Sequence, residues 1–136
     1  MCHATQVCYI ETTMHDRRQF IRHNSKTIIC LDYTNLAGKA YIDAIRASEE
    51  SAGTSDINDR LILVDATDSV VDKEVLQALK SLSAKASEFT DRTAVVGVSG
   101  IQMLFMRAIA KLSKSKMRPF SSREEALEWL TEPIKQ

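Results

Sequence analysis

The chain has four glycines, two prolines and no multi-glycine loop. Walker-type and dinucleotide-binding loops are thereby excluded, since both need glycines to let backbone amides close on phosphate. No Gly-x-Ser-x-Gly occurs either, so the sequence offers no nucleophile elbow. No apolar run approaches the roughly 20 residues of a membrane helix. The N-terminus, MCHATQVCYIETTMHDRR, lacks an apolar core after a basic start and does not read as a secretory signal. Charge of one sign is missing too. Lys and Arg number 18, Asp and Glu 18, and this zero balance argues against a nucleic-acid footprint spread over the molecule. Three cysteines cannot all pair, and they read as reduced thiols of a cytoplasmic protein. Cys2, His3, Cys8 and His15 carry metal-ligating atoms, but their spacing is not that of a zinc knuckle. Neither a metal site nor a cofactor is expected, and internal repeats are absent.

What is present is architecture. A length of 136 residues suits one domain with its own core. Arg18 to His23 and Thr27 to Tyr33 are strand-like around the polar turn Asn24-Ser25-Lys26, which predicts an antiparallel hairpin. In residues 1–16 the alternation around Val7, Tyr9 and Cys8–Ile10 leaves two options, a short edge strand or a loose segment. A helix follows around Tyr41, Ile42, Ala44 and Ile45, with Thr34 or Asn35 as its cap. Arg60 to Val64 is a continuous apolar run, as expected of a strand covered on both faces. Val75, Leu79, Leu82, Ala86 and Phe89 recur at helical spacing behind Asp72. Thr93 to Val98 reads as strand, Ile101 to about Ser113 as helix, Lys116 to Phe120 as strand and Arg123 to Leu130 as helix. Ser122 and Glu125 have capping-box spacing, and Pro133 stops the chain from continuing as helix. Strand–helix alternation of this kind predicts an α/β domain whose sheet is four- to five-stranded and mostly parallel, with an antiparallel first strand and about four helices.

Three stretches carry a family likeness: LILVDAT (61–67), TAVVGV (93–98) and RPFSSREEALEWL (118–130). They resemble the STAS-like domains, relatives of the bacterial anti-sigma-factor antagonists that lie near the CRAL-TRIO lipid-binding domains. The likeness covers roughly Arg18 to Leu130. It implies a single-domain STAS-like fold over residues 17–132, preceded by a variable segment 1–16. It also implies sequential strand order and a regulatory role through protein contact. One departure is plain. Where the antagonists place a phosphoacceptor serine at a helix start, this chain reads Val71-Asp72-Lys73-Glu74. The phosphorylation switch therefore does not transfer. Ser69 is near in sequence but precedes the helix.

Two places are candidate binding sites. The first is the loop Asp65, Thr67, Asp68, Ser69, Asp72, at the carboxyl end of a parallel strand where such sheets bind ligands. Its three carboxylates could hold a hard cation or a ligand hydroxyl; alternatively Asp68 and Asp72 simply favour the helix N-terminus. The second is the helix from Ile101. Ile101, Leu104, Phe105, Ala108, Ile109 and Leu112 form one stripe, expected to face the core. Met103, Met106 and Ala110, with Arg107 beside them, form a second stripe, either buried under the N-terminal segment or the last helix or else meeting a partner, a second copy or an apolar ligand. Cations from Arg107 to Arg118 have no acid among them, and they suit either phosphate groups or the negative end of the helix. His23 and Cys30 lie on adjoining strands, but the apolar setting of Cys30 favours an inert thiol. No catalytic set stands out, so the expectation is a non-enzymatic regulatory or protein-interaction module that contacts a protein partner or a second copy of itself, without nucleic acid or stable membrane insertion. The alternative is a carrier or sensor of an apolar or amphiphilic small molecule or lipid.

Overall fold

The computed structural model describes residues 8–10, 17–51, 61–112 and 116–133. Their elements are β1 (Cys8–Ile10), β2 (Arg18–His23), β3 (Lys26–Asp32), α1 (Gly38–Ser51), β4 (Leu61–Asp65), α2 (Lys73–Ala86), β5 (Arg92–Val96), α3 (Ile101–Leu112), β6 (Lys116–Phe120) and α4 (Arg123–Thr131). The strands form one sheet in sequential order. β2 runs antiparallel to β3, and β3 to β6 are parallel. This five-stranded body is the mostly parallel sheet with an antiparallel first strand that the alternation predicts. β1 adds a short antiparallel edge beside β2. The rest of segment 1–16, with Cys2, His3 and His15, lies outside the described residues.

Local chemistry accounts for the element boundaries. Asn24 and Ser25 turn the β2–β3 hairpin with φ of 50° and 66°. Two left-handed central residues give the turn type whose twist matches the flanking strands. The Asp72 carboxylate accepts the Val75 amide at 2.8 Å and caps α2. At α4, Ser122 accepts the Glu125 amide at 3.2 Å, while the Glu125 carboxylate takes the Ser121 and Ser122 hydroxyls instead of the cap amide. α1 starts at Gly38, later than a cap at Thr34 or Asn35 requires. The reason is local: the Thr34 hydroxyl donates to Asp32 at 2.6 Å, and Asn35 turns the chain at φ 60°. β5 stops at Val96 because Gly97 leaves the strand at φ 85°.

Side chains alternate between the two faces of the sheet. Ile21, Ile28, Cys30, Leu63, Ala94 and Val96 meet Ala126, Leu127, Trp129 and Leu130 of α4. Phe20, Ile29, Leu31, Tyr33 and Ile62 face the opposite way, onto Tyr41, Ala44 and Ile45 of α1 and Val75 and Leu82 of α2. α3 lies beyond α2, over the β6 side of the same face.

Candidate functional site

Parallel β3, β4 and β5 bring their carboxyl ends side by side, and the loops leaving them stay tied together. The Tyr33 amide donates to the Asp65 carbonyl at 2.9 Å, Asn35 to Thr67 at 3.0 Å and Ala66 to Val96 at 2.9 Å. Within this frame the five loop residues are spent on the loop itself. One Asp65 oxygen accepts the Thr67 amide and hydroxyl at 3.1 and 2.6 Å, and the other accepts Arg123 at 3.3 Å. The neighbouring strand repeats the device, since Asp32 accepts the amide and hydroxyl of Thr34. Burial alone would raise the Asp32 pKa, but those bonds and the Arg17 guanidinium outweigh it and hold the carboxyl below its ordinary value. Asp68 turns the chain at φ 57° and is exposed, and Asp72 is the α2 cap. Ser69 is buried and its hydroxyl donates to the Ala66 carbonyl at 2.8 Å, which withdraws it from modification. The three aspartates therefore do not converge, and among the described residues no cluster of three or more His, Cys, Asp or Glu could hold a metal ion.

Gly97 has a specific neighbour here. A Cβ on it would lie 2.3 Å from the Thr67 hydroxyl and 2.5 Å from the Thr67 amide nitrogen. Any larger residue would push the β4 and β5 loops apart.

α3 turns out to be rotated from the expected orientation. Met106 and Ile109 are the buried residues, each 7 % exposed, whereas Ile101 and Leu104 are 66 % and 61 % exposed. Ala108 is exposed as well, and Met103 and Ala110 are half-buried. The stripe expected in the core thus faces out over much of its length, and Met106, expected at an interface, points in. The physical reason is that α3 is apolar nearly all round, so periodicity leaves its phase open. Arg107 and Lys111, one helical turn apart, decide it by keeping to water. The face opposite them is Gln102, Phe105, Met106 and Ile109. The Gln102 side-chain amide also donates to the Ser69 carbonyl, fixing that face against the α2 loop.

Between this inner face and the sheet is a cavity of about 130 Å³. Ile62, Val64 and Val95 form its floor, Leu79, Leu82 and Ala86 one wall, and Phe105, Met106 and Ile109 the other. Phe89, placed by periodicity on the α2 core stripe, lies beyond the helix end; it lines the cavity and is 42 % exposed, so it marks where the cavity meets the surface. Among the described residues of the lining, Arg18 is the one side chain that carries a full charge at neutral pH. α3 is legible from the sequence as a helix, and the cavity lining draws on both of its hydrophobic patterns at once. The placement of Arg107 and Lys111 was the signal for which way the helix faces, though not for the space beneath it.

His23 and Cys30 do not meet as a nucleophile pair. His23 bonds Glu128 at 2.7 Å, while Cys30 pairs in register with Gln19 and its thiol is pushed up to about 11 by burial.

No family model and no curated protein matches the sequence. Among solved structures, an uncharacterized protein of the DUF3478 family from Shewanella loihica PV-4, described as having a SpoIIAA-like fold, superimposes with a TM-score of 0.62. The match covers 89 % of this chain and 98 % of that one at 18 % identity. At that identity the likeness speaks for backbone architecture. No described helix is long and apolar enough to cross a membrane. The sequential sheet, its antiparallel first strand and the four helices together make this chain an α/β protein of SpoIIAA-like, that is STAS-like, fold.

Proposed function

We propose that the chain is a non-enzymatic binding module that takes an apolar small molecule between the sheet and α2–α3, as a carrier or sensor. The cavity of about 130 Å³ carries this reading. Close-packed interiors leave few voids larger than a water molecule, and apolar cavities of such size stay dry and accept apolar guests. Among the described residues of its lining Arg18 is the one charged group, which favours an apolar occupant over an ionic one. The test is native mass spectrometry of protein purified from cells, with thermal unfolding in the presence of benzene or toluene. Wild type should carry a guest or be stabilised by one, and Ala86→Phe, which places a ring in the cavity, should do neither. A clean apo mass together with an unmoved melting temperature for wild type defeats the proposal.

A second reading, regulation through contact with a protein partner or a second copy, is favoured by Ile101 and Leu104 lying outward on α3 beside the exposed Val70 loop. Large exposed apolar residues grouped together mark interaction surfaces. Ile101→Glu with Leu104→Glu should abolish self-association or partner capture while leaving the fold intact. An unchanged monomer by light scattering, with unchanged pull-downs, rules this out.

A further inference from the structure

We infer that the preferred guest of the cavity is an uncharged, single-ring aromatic molecule carrying one hydroxyl, of the phenol class, with Ser83 as its hydrogen-bonding partner. This rests on the cavity being a binding site and adds the chemistry of what enters it.

Size sets the first limit. An engineered apolar cavity of about 150 Å³ takes benzene, so a space of about 130 Å³ suits one ring with a small substituent and not a two-chain lipid.

The second limit comes from Ser83. The residue lines the cavity, is 9 % exposed, and its buried Oγ has no hydrogen-bond partner. The other serines of the lining are all satisfied. Ser48 donates to the Ala44 carbonyl, Ser69 to Ala66 and Ser87 to Ala84, at 3.1, 2.8 and 3.0 Å. A helical serine ordinarily bonds back to the carbonyl one turn earlier, as Ser48 does; Ser83 does not. An orphan hydroxyl in a buried apolar wall is an unmet donor and two unmet acceptors. A guest hydroxyl satisfies it in either direction.

Charge sets the third limit. α2 returns the chain from the carboxyl ends of the strands towards the start of β5, so Ser83, three residues before the helix end, lies towards the amino ends of the strands. Arg18 pairs in register with Leu31, near the carboxyl end of β3. The cation and the orphan hydroxyl are therefore at opposite ends, and among the described lining residues a carboxylate bonded to Ser83 would find no countercharge. Aromaticity follows from the walls. Met106 and Met117 line the cavity with Phe89 and Phe105, and thioether sulfur and ring edges both favour an aromatic guest over a saturated one.

Calorimetric titration of the full chain with phenol, toluene and benzoate tests the assignment, with methyl NMR of Met106 and Met117 reporting the location. Phenol should bind about tenfold tighter than toluene, the worth of one buried hydrogen bond. Benzoate should bind more weakly than either. Ser83→Ala, a substitution that keeps a good helix former, should lower phenol affinity to the toluene level or below it, because the guest hydroxyl is then left unpaired, and leave toluene unchanged. Equal affinity of wild type for phenol and toluene, a phenol advantage that survives Ser83→Ala, or benzoate binding as tightly as phenol overturns the assignment while leaving the cavity as a site. Failure of toluene itself to bind removes the cavity reading and this inference together.

Discussion

On one face of the sheet a single nine-residue helix closes the core, while on the other three helices leave a void. The difference lies in how each cover is fastened. α4 is fixed at both ends and along its length. Arg123 at its start pairs with Asp65 on β4, and at its far end Arg92 donates to the Trp129 and Glu132 carbonyls at 2.6 and 3.0 Å. Asn24 in the hairpin turn donates to Thr131 at 2.9 Å. Trp129 packs at a tilt against Phe120, and the guanidinium groups of Arg92 and Arg118 lie over its ring. α3 has little of this. Among the described residues its side chains make their polar contact with the rest of the fold through the bond from Gln102 to the Ser69 carbonyl, and the large side chains Ile101 and Leu104 on its outer face are exposed. A helix held at one end and apolar on two sides can stand off the sheet. This arrangement suits a face that admits a guest, and α4 makes the other face a fixed wall.

Truncation should separate the faces most clearly. Leu130 is fully buried against α4's side of the sheet, whereas Ile109 borders the void. Leu130→Ala should cost about 3–5 kcal/mol, because it removes contacts on all sides and opens a new cavity. Ile109→Ala should cost roughly half of that, since part of its surface already lacks partner atoms. Urea denaturation measures both, and equal costs would mean that the two faces are equally packed.

Arg92→Ala probes the fastening itself. It strands two carbonyls at the end of α4, and removes a cation from a helix C-terminus, so a loss of about 2–3 kcal/mol is expected. If the loss is no greater than that of an exposed arginine such as Arg46, the guanidinium does not hold the helix.

The sealed face should also show in alkali. Burial raises the Cys30 thiol from 9.0 to about 11, with the Arg123 charge only partly offsetting it. The folded state then holds the proton more tightly than the unfolded chain. This contribution is intact below pH 9 and is lost as pH rises towards about 11. Over that window the stability advantage of wild type over Cys30→Ala should shrink by about 2–3 kcal/mol. A constant difference would show that water reaches the thiol in the native state.

The two faces also differ in how far they were legible from sequence. The α4 face follows from local signals: Ser122 and Glu125 at capping spacing, a terminating Pro133, and Ala126, Leu127 and Leu130 spaced for one buried stripe. Parallel pairing follows from strand–helix alternation, and the sequential strand order from the family likeness. On the other face, α3 as an element was readable, but its rotation was not, because apolar residues around most of the helix leave periodicity without a preferred phase. The cavity was hidden for a different reason. A void is set by how far two covered surfaces stand apart, and no single residue encodes that distance. Gly97 looked like a strand residue, because its clash partner Thr67 is thirty positions away and is met only when β4 and β5 pair. The loop aspartates resembled a ligand set for the opposite reason: their partners, Thr67, Arg123 and Val75, are ordinary residues whose roles appear only once the strand ends are in place.

The smallest effect gives the sharpest comparison. Ala86 lines the void from the last turn of α2 and is half-buried. Ala86→Leu adds three carbons there with little change in helix propensity. Filling an empty apolar space should stabilise the free protein by about 0.5–1 kcal/mol, the usual yield of a cavity-filling change. The matching insertion into the α4 face, Ala126→Leu, enters a site with no exposed surface, and should instead cost about 1–3 kcal/mol through overpacking. The opposite signs of these two changes, read by thermal unfolding, are the expected signature of one face built with room and one without. Destabilisation by both would mean that the space beside Ala86 closes in solution and that α3 rests on the sheet as tightly as α4 does.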